Sequence, residues 1–169
     1  MSACDQSALE ALAARVGKLL LANGECLATA ESCTGGWVAQ CVTAIAGSSE
    51  WFDCGFVSYS NEAKTEILGV AAETLAAHGA VSEASAAAMA LGARRRSRAA
   101  WALAITGIAG PGGGSAGRPV GTVCFAWAGP AGQLDTDTRR FAGDRAAVRA
   151  QSVAHALEGV LQRAGRRLA

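Results

Sequence analysis

The chain has 169 residues, of which 51% are hydrophobic and 17% charged, and its formal net charge is +1. That length suits one compact domain burying roughly two-thirds of its unfolded surface, the composition excludes a disordered chain, and the near-balanced charge argues against a general nucleic-acid binder. Apolar runs break well short of the ~18 residues that a membrane span needs, and Asp5, Glu10 and Arg15 interrupt the start where a secretory leader would be apolar, so a cytoplasmic protein without membrane contact is expected.

Leu9, Leu12, Val16, Leu19 and Leu20 form a helical stripe over 6–22 that ends at Asn23-Gly24. A first strand over 26–31 then runs into Ala30-Glu31-Ser32-Cys33-Thr34-Gly35-Gly36, and a helix from Trp37 to about Ile45 follows. This is the pattern of a strand ending in a tight turn that feeds a helix. Ser32 would sit where unpaired N–H groups of a first helical turn converge, with Gly35-Gly36 allowing close approach to the main chain. The plainer reading makes Ser32 or Thr34 the helix cap.

Phe52–Ser60 reads as a second strand and Asn61–Leu68 as a helix capped by Ser60 or Asn61. Two alanine-rich helices follow over 71–78 and 83–98, the second capped by Ser82 and closing in Arg94, Arg95, Arg96 and Arg98, cations that complement the negative end of the helix dipole. Trp101–Thr106 is a third strand, leading into a glycine-rich loop that starts at Gly107 and ends near Pro119. Strands over Val120–Ala128 and Leu134–Phe141 form a hairpin through Gly129-Pro130-Ala131-Gly132. A last helix from about Asp144 buries Val153, Leu157, Val160, Leu161, Ala164 and Leu168 and ends in Arg163, Arg166 and Arg167. The order predicts a single domain over 1–169, an α/β/α three-layer sandwich around a mixed, mostly parallel sheet. Ligands bind such sheets at the carboxyl ends of strands, and three of these ends carry hydroxyls: Ser32, Tyr59-Ser60 and Thr106.

Six cysteines (Cys4, Cys26, Cys33, Cys41, Cys54, Cys124) form no CxxC pair, and His78 and His155 stand far apart without an HxxxH partner, so neither a metal nor a disulfide framework is expected. Neither histidine neighbours a strand end, which leaves a serine nucleophile without its usual base. Lys64 fills that gap. Of fifteen basic residues only Lys18 and Lys64 are lysine, and lysine, unlike arginine, can give up its proton. Lys64 falls in the first turn of its helix, where the dipole and partial burial both depress its pKa, although a surface lysine lying off that helix is an equal reading. Cys33 is a rival nucleophile at a helix start, without the histidine that such thiolates use. The loop 107–117 is neither a P-loop nor a GxGxxG fingerprint; a phosphate cradle and a plain surface loop fit it equally.

AESCTGG at 30–36, SYSNEAK at 58–64, GAVS at 79–82, TGIAGPGGG at 106–114, PVGTV at 119–123 and FAGDRAAVR at 141–149 together resemble the CinA carboxy-terminal family, in order and over nearly the whole chain. That family contains the nicotinamide mononucleotide deamidases. The resemblance implies an α/β/α sandwich and a metal-free serine–lysine hydrolytic site without a cofactor. Ser32 would be the nucleophile and Lys64 the base, with Tyr59 and Thr106 completing a hydroxyl network. Arg145 would be catalytic or substrate-binding, and Cys33, Thr34, Gly35, Gly36, Asn61 and Gly107 would meet a small nucleotide substrate. The stand-alone form of the family is expected, as a homodimer or higher homo-oligomer. Two rivals remain: a non-catalytic nucleotide- or partner-binding module, and a hydrolase that uses Cys33.

Overall fold

A computed structural model describes residues 5–166; Cys4, Arg167 and Leu168 lie outside the described residues. Helix α1 (Gln6–Asn23) is capped by Asp5, which accepts from the Ala8 N–H, and closes on Gly24 in the left-handed conformation. Of its stripe, Leu9, Val16 and Leu20 are fully buried, and Leu12 and Leu19 pack against that core. Strand β1 (Leu27–Glu31), helix α2 (Trp37–Thr43), strand β2 (Phe52–Val57), helices α3 (Asn61–Leu68), α4 (Ala72–His78) and α5 (Glu83–Arg95), strands β3 (Trp101–Gly107), β4 (Thr122–Ala128) and β5 (Leu134–Arg140), and helix α6 (Arg145–Gly165) follow.

The five strands form one sheet in the order β2-β1-β3-β4-β5. The first three run parallel, and β4 and β5 are antiparallel to their neighbours. The chain leaves β1 toward β2 through α2 and returns across β1 to β3 through α3, α4 and α5. The parallel strands therefore diverge on either side of β1, the point at which open α/β sheets bind ligands.

Alternation along the strands builds two unlike faces. Leu27, Trp101, Leu103, Ile105, Val123, Phe125 and Trp127 join α1, α2 and α6 in one core. Ala28, Ala30, Ala102, Ala104, Cys124, Ala126 and Ala128 meet α5 and Leu68 of α3 in the other. One layer thus rests on large side chains and the opposite one on methyl groups, so α5 comes close to the sheet.

Several ends differ from the sequence reading. Strand β2 stops at Val57, because Ser60 turns away to cap α3 by accepting from the Ala63 N–H at 3.0 Å. Helix α5 stops at Arg95, where the arginines are held by the fold: Arg94 donates to Ala100 O, Arg96 to Leu68 O, and Arg98 pairs with Asp53 at 3.1 Å. Strand β4 begins at Thr122, after Gly121 at φ 90°. In α6, Val153, Leu157, Val160 and Ala164 are buried as expected, and Leu161 is half-buried. No helix among the described residues is long and apolar enough to cross a membrane.

Gly92 marks the closest approach of α5 to α3, since a Cβ there would overlap the carbonyl oxygen of Leu68. Alanine would gain about 1 kcal/mol of helix propensity, whereas overpacking against backbone costs about 1–3 kcal/mol. Gly92→Ala is expected to lower stability by up to about 2 kcal/mol net, read by urea denaturation; a stabilised variant would show that the two helices separate freely.

Candidate active site

The carboxyl end of β1 divides its side chains between the two faces of the sheet. Ala28, Ala30 and Ser32 follow the alanine face, while Leu27, Thr29 and Glu31 follow the other. Glu31 is fully buried and turns under α2, where Oε2 accepts from the N–H groups of Gly36 (3.1 Å) and Val38 (3.0 Å) and Oε1 from Ala39 (2.9 Å). The cap of α2 is therefore this carboxylate. Its N-cap residue, Gly36, offers no side chain, and neither Ser32 nor Thr34 caps the helix, which corrects the plainer sequence reading. Gly35 and Gly36 stand at φ 61° and 92°, a left-handed path that favours glycine.

Released from capping, Ser32 is 8% exposed and anchored to β3 by its N–H to Ile105 O at 3.0 Å. Its Oγ lies 3.0 Å from Lys64 Nζ, which also donates to Ser58 O at 3.0 Å. Lys64 is 1% exposed, not a solvated surface lysine. Burial pushes its pKa below the ordinary value of 10.5, opposed only by the charge that Cys33 would carry as a thiolate. That opposition is silent at neutral pH, because burial pushes the Cys33 thiol up to about 12. The same shift answers the expectation that a helix start would activate Cys33: desolvation outweighs it.

Thr106 ends the alanine face of β3 and is also buried; its Oγ1 donates to Ala80 O at 2.8 Å, which ties the site to the 79–82 turn. Tyr59 is exposed, and its hydroxyl accepts from Arg145 Nη2 at 2.8 Å, while Arg145 Nη1 donates to Gly110 O at 2.8 Å. A cleft of about 210 Å³ is lined by Ser32, Cys33, Tyr59, Asn61, Lys64, Ala80, Val81, Thr106, Gly107, Ala109 and Arg145. Eight sequence-derived positions thus converge. Thr34, Gly35 and Gly36 do not line it and shape the turn beneath; the Thr34 side chain is fully buried. His155 faces Asp137 at 2.9 Å on α6 and β5, and His78 ends α4, both apart from the cleft. Among the described residues no cluster of His, Cys, Asp or Glu has the make-up of a metal site.

The family profile described as the CinA C-terminal domain matches residues 9–164. The chain belongs to the CinA C-terminal family. Within it, a protein of Escherichia coli named nicotinamide-nucleotide amidohydrolase PncC is 55% identical over 92% of this chain and 94% of its own length. A longer protein of Symbiobacterium thermophilum, named putative competence-damage inducible protein, is 53% identical over 88% of this chain and 37% of its own length. Crystal structures agree: a CinA superfamily protein of Klebsiella pneumoniae superposes with a TM-score of 0.90 at 45% identity, covering 94% of this chain and 98% of that one. The competence/damage inducible protein CihA of Agrobacterium tumefaciens gives 0.89 at 47% identity, covering 91% and 94%.

Two residues of this CinA C-terminal domain escaped the sequence reading, Glu31 and Arg149. The guanidinium of Arg149 donates to Cys33 O at 3.1 Å and to Thr34 O at 2.9 Å, and it stacks 5.3 Å from the Trp37 ring. Glu31→Ala strands three N–H groups at the base of α2 and should lower stability by roughly 3 kcal/mol in urea denaturation. An unchanged midpoint would show that water replaces the carboxylate there.

Proposed function

We propose that this protein hydrolyses the carboxamide of nicotinamide mononucleotide to give nicotinic acid mononucleotide and ammonia. The observation that carries the reading is the 3.0 Å contact between two buried groups, Lys64 Nζ and Ser32 Oγ. A buried amine with depressed pKa, fixed by the Ser58 carbonyl, is equipped to take a hydroxyl proton. The name borne by the Escherichia coli relative at 55% identity supports the choice of substrate.

Neutral Lys64 removes the Ser32 proton as Oγ bonds to the carboxamide carbon. The transfer is direct and does not pass through Thr106, whose own proton is engaged with Ala80 O. In the turn, the Gly35 N–H is bonded to Ser32 O and that of Gly36 to Glu31, so the oxyanion falls to the N–H groups of Cys33 and Thr34. Collapse breaks the C–N bond, and Lys64 returns its proton to the departing ammonia. Water then adds to the acyl-enzyme: Lys64 takes its proton, and Oγ leaves and regains it. The cleft, at about 210 Å³, takes the pyridine carboxamide and leaves the ribose phosphate toward the rim. There Arg145 retains donors beyond those given to Tyr59 and Gly110. On this reading the enzyme works in pyridine nucleotide salvage in the cytoplasm, without cofactor or metal, as a homodimer or higher homo-oligomer.

Incubation with nicotinamide mononucleotide should release ammonia, and Ser32→Ala should lose at least ~10³-fold in rate with its unfolding midpoint unchanged, while Cys33→Ala retains most activity. The reverse pattern would transfer the nucleophile to the thiol.

Lys64→Arg keeps a cation that cannot act as base, so its rate should fall by at least ~10²-fold. The wild-type rate should rise with pH through an apparent pKa below ~10.4, as Lys64 loses its proton. A folded Lys64→Arg protein at the wild-type rate would show that the lysine only positions charge.

A further inference from the structure

The nucleophile turn is held from two sides. Below it, Glu31 takes N–H groups of α2; from α6, Arg149 takes two successive carbonyls, Cys33 O and Thr34 O. In a trans peptide the C=O and the following N–H point in opposite directions. With Cys33 O drawn toward Arg149, the Thr34 N–H is aimed away from α6. With Thr34 O drawn the same way, the Gly35 N–H is aimed back, and it is found on Ser32 O at 3.0 Å. Helix α6 packs on the bulky face of the sheet, whereas Ser32 and Thr106 end the alanine face and Lys64 meets Ser32 there, at a cleft that runs across the carboxyl edge to Arg145. The Thr34 N–H is thus directed toward the side where the serine reacts, and it has no acceptor among the described residues.

We propose that Arg149 is a positioning residue that orients the Cys33–Thr34 peptide so that the Thr34 N–H stabilises the oxyanion; this rests on the amide-hydrolase reading above. Arg149 is half-buried and clamps both carbonyls with a planar fork that stacks on Trp37. It lies one helical turn beyond Arg145 and does not line the cleft, so it acts on the turn and not on the substrate. Without the clamp the peptide is free to rotate, and the donor is lost while the substrate's ground-state contacts remain.

The test compares wild type, Arg149→Gln and Arg149→Lys in kcat and KM for nicotinamide mononucleotide, and in affinity for pyridine-3-boronic acid, which forms a tetrahedral adduct on a serine hydroxyl. Arg149→Gln should lose about 10²-fold in kcat, the usual cost of one oxyanion donor, with KM changed by less than about threefold. Boronate affinity should fall in parallel with kcat. Arg149→Lys, a point charge that holds one carbonyl at a time, should fall between. Circular dichroism establishes that the variants are folded, and should Arg149→Gln unfold, Arg149→Lys carries the same comparison. A folded variant with wild-type kcat, a rise in KM alone, or boronate binding that ignores the substitution would each overturn the proposal. If wild type binds the boronate with an affinity that falls in Arg149→Gln yet releases no ammonia, the substrate reading fails and the positioning role stands. If wild type neither hydrolyses nor binds, both fail.

Discussion

The site depends on keeping one ammonium-forming group away from a buried carboxylate. Lys64 and Glu31 are both buried near the end of β1, and in contact they would form an ion pair that holds the lysine charged. Strand alternation prevents it. Glu31 leaves β1 on one face and commits its oxygens to three N–H groups of α2. Ser32 leaves on the other face, where Lys64 donates to a hydroxyl and a carbonyl. A one-residue slip in register would exchange the two and leave a charged lysine beside a carboxylate.

Hydroxyls at the carboxyl ends of β1 and β3 continue the same logic. The sequences Ala28-Thr29-Ala30-Glu31-Ser32 and Ala102-Leu103-Ala104-Ile105-Thr106 both run small residues down one face and end it in a hydroxyl. Because the strands are parallel neighbours in register, Ala30 opposite Ala104, those ends meet. The arginine-rich end of α5 acts elsewhere, where its side chains staple the loop before β3 to Leu68, Ala100 and Asp53.

Much of this was legible in the sequence because it is local. A strand–turn–helix pattern located Ser32, and the rarity of lysine in an arginine-rich chain singled out Lys64. Glu31 was hidden because capping is sought in the residue directly before a helix, whereas this cap comes from five to eight residues back, out of a strand that otherwise reads as apolar. Arg149 was hidden because its partners lie more than a hundred positions away, and a cation near a helix start resembles any solvated side chain. The end of β2 was misplaced because Tyr59 and Ser60 have strand-like and cap-like character at once, and the cap prevailed. Relations between distant segments carry no periodicity to read.

The unequal faces of the sheet also act as a gauge. Leu68, one turn beyond Lys64, packs with α5 over the alanine layer, so the base is carried by a helix seated on α5, and α5 in turn rests on single methyl groups. The nucleophile is fixed to the strands themselves. Larger residues in that layer would lift α5 and, with it, the helix that carries the base.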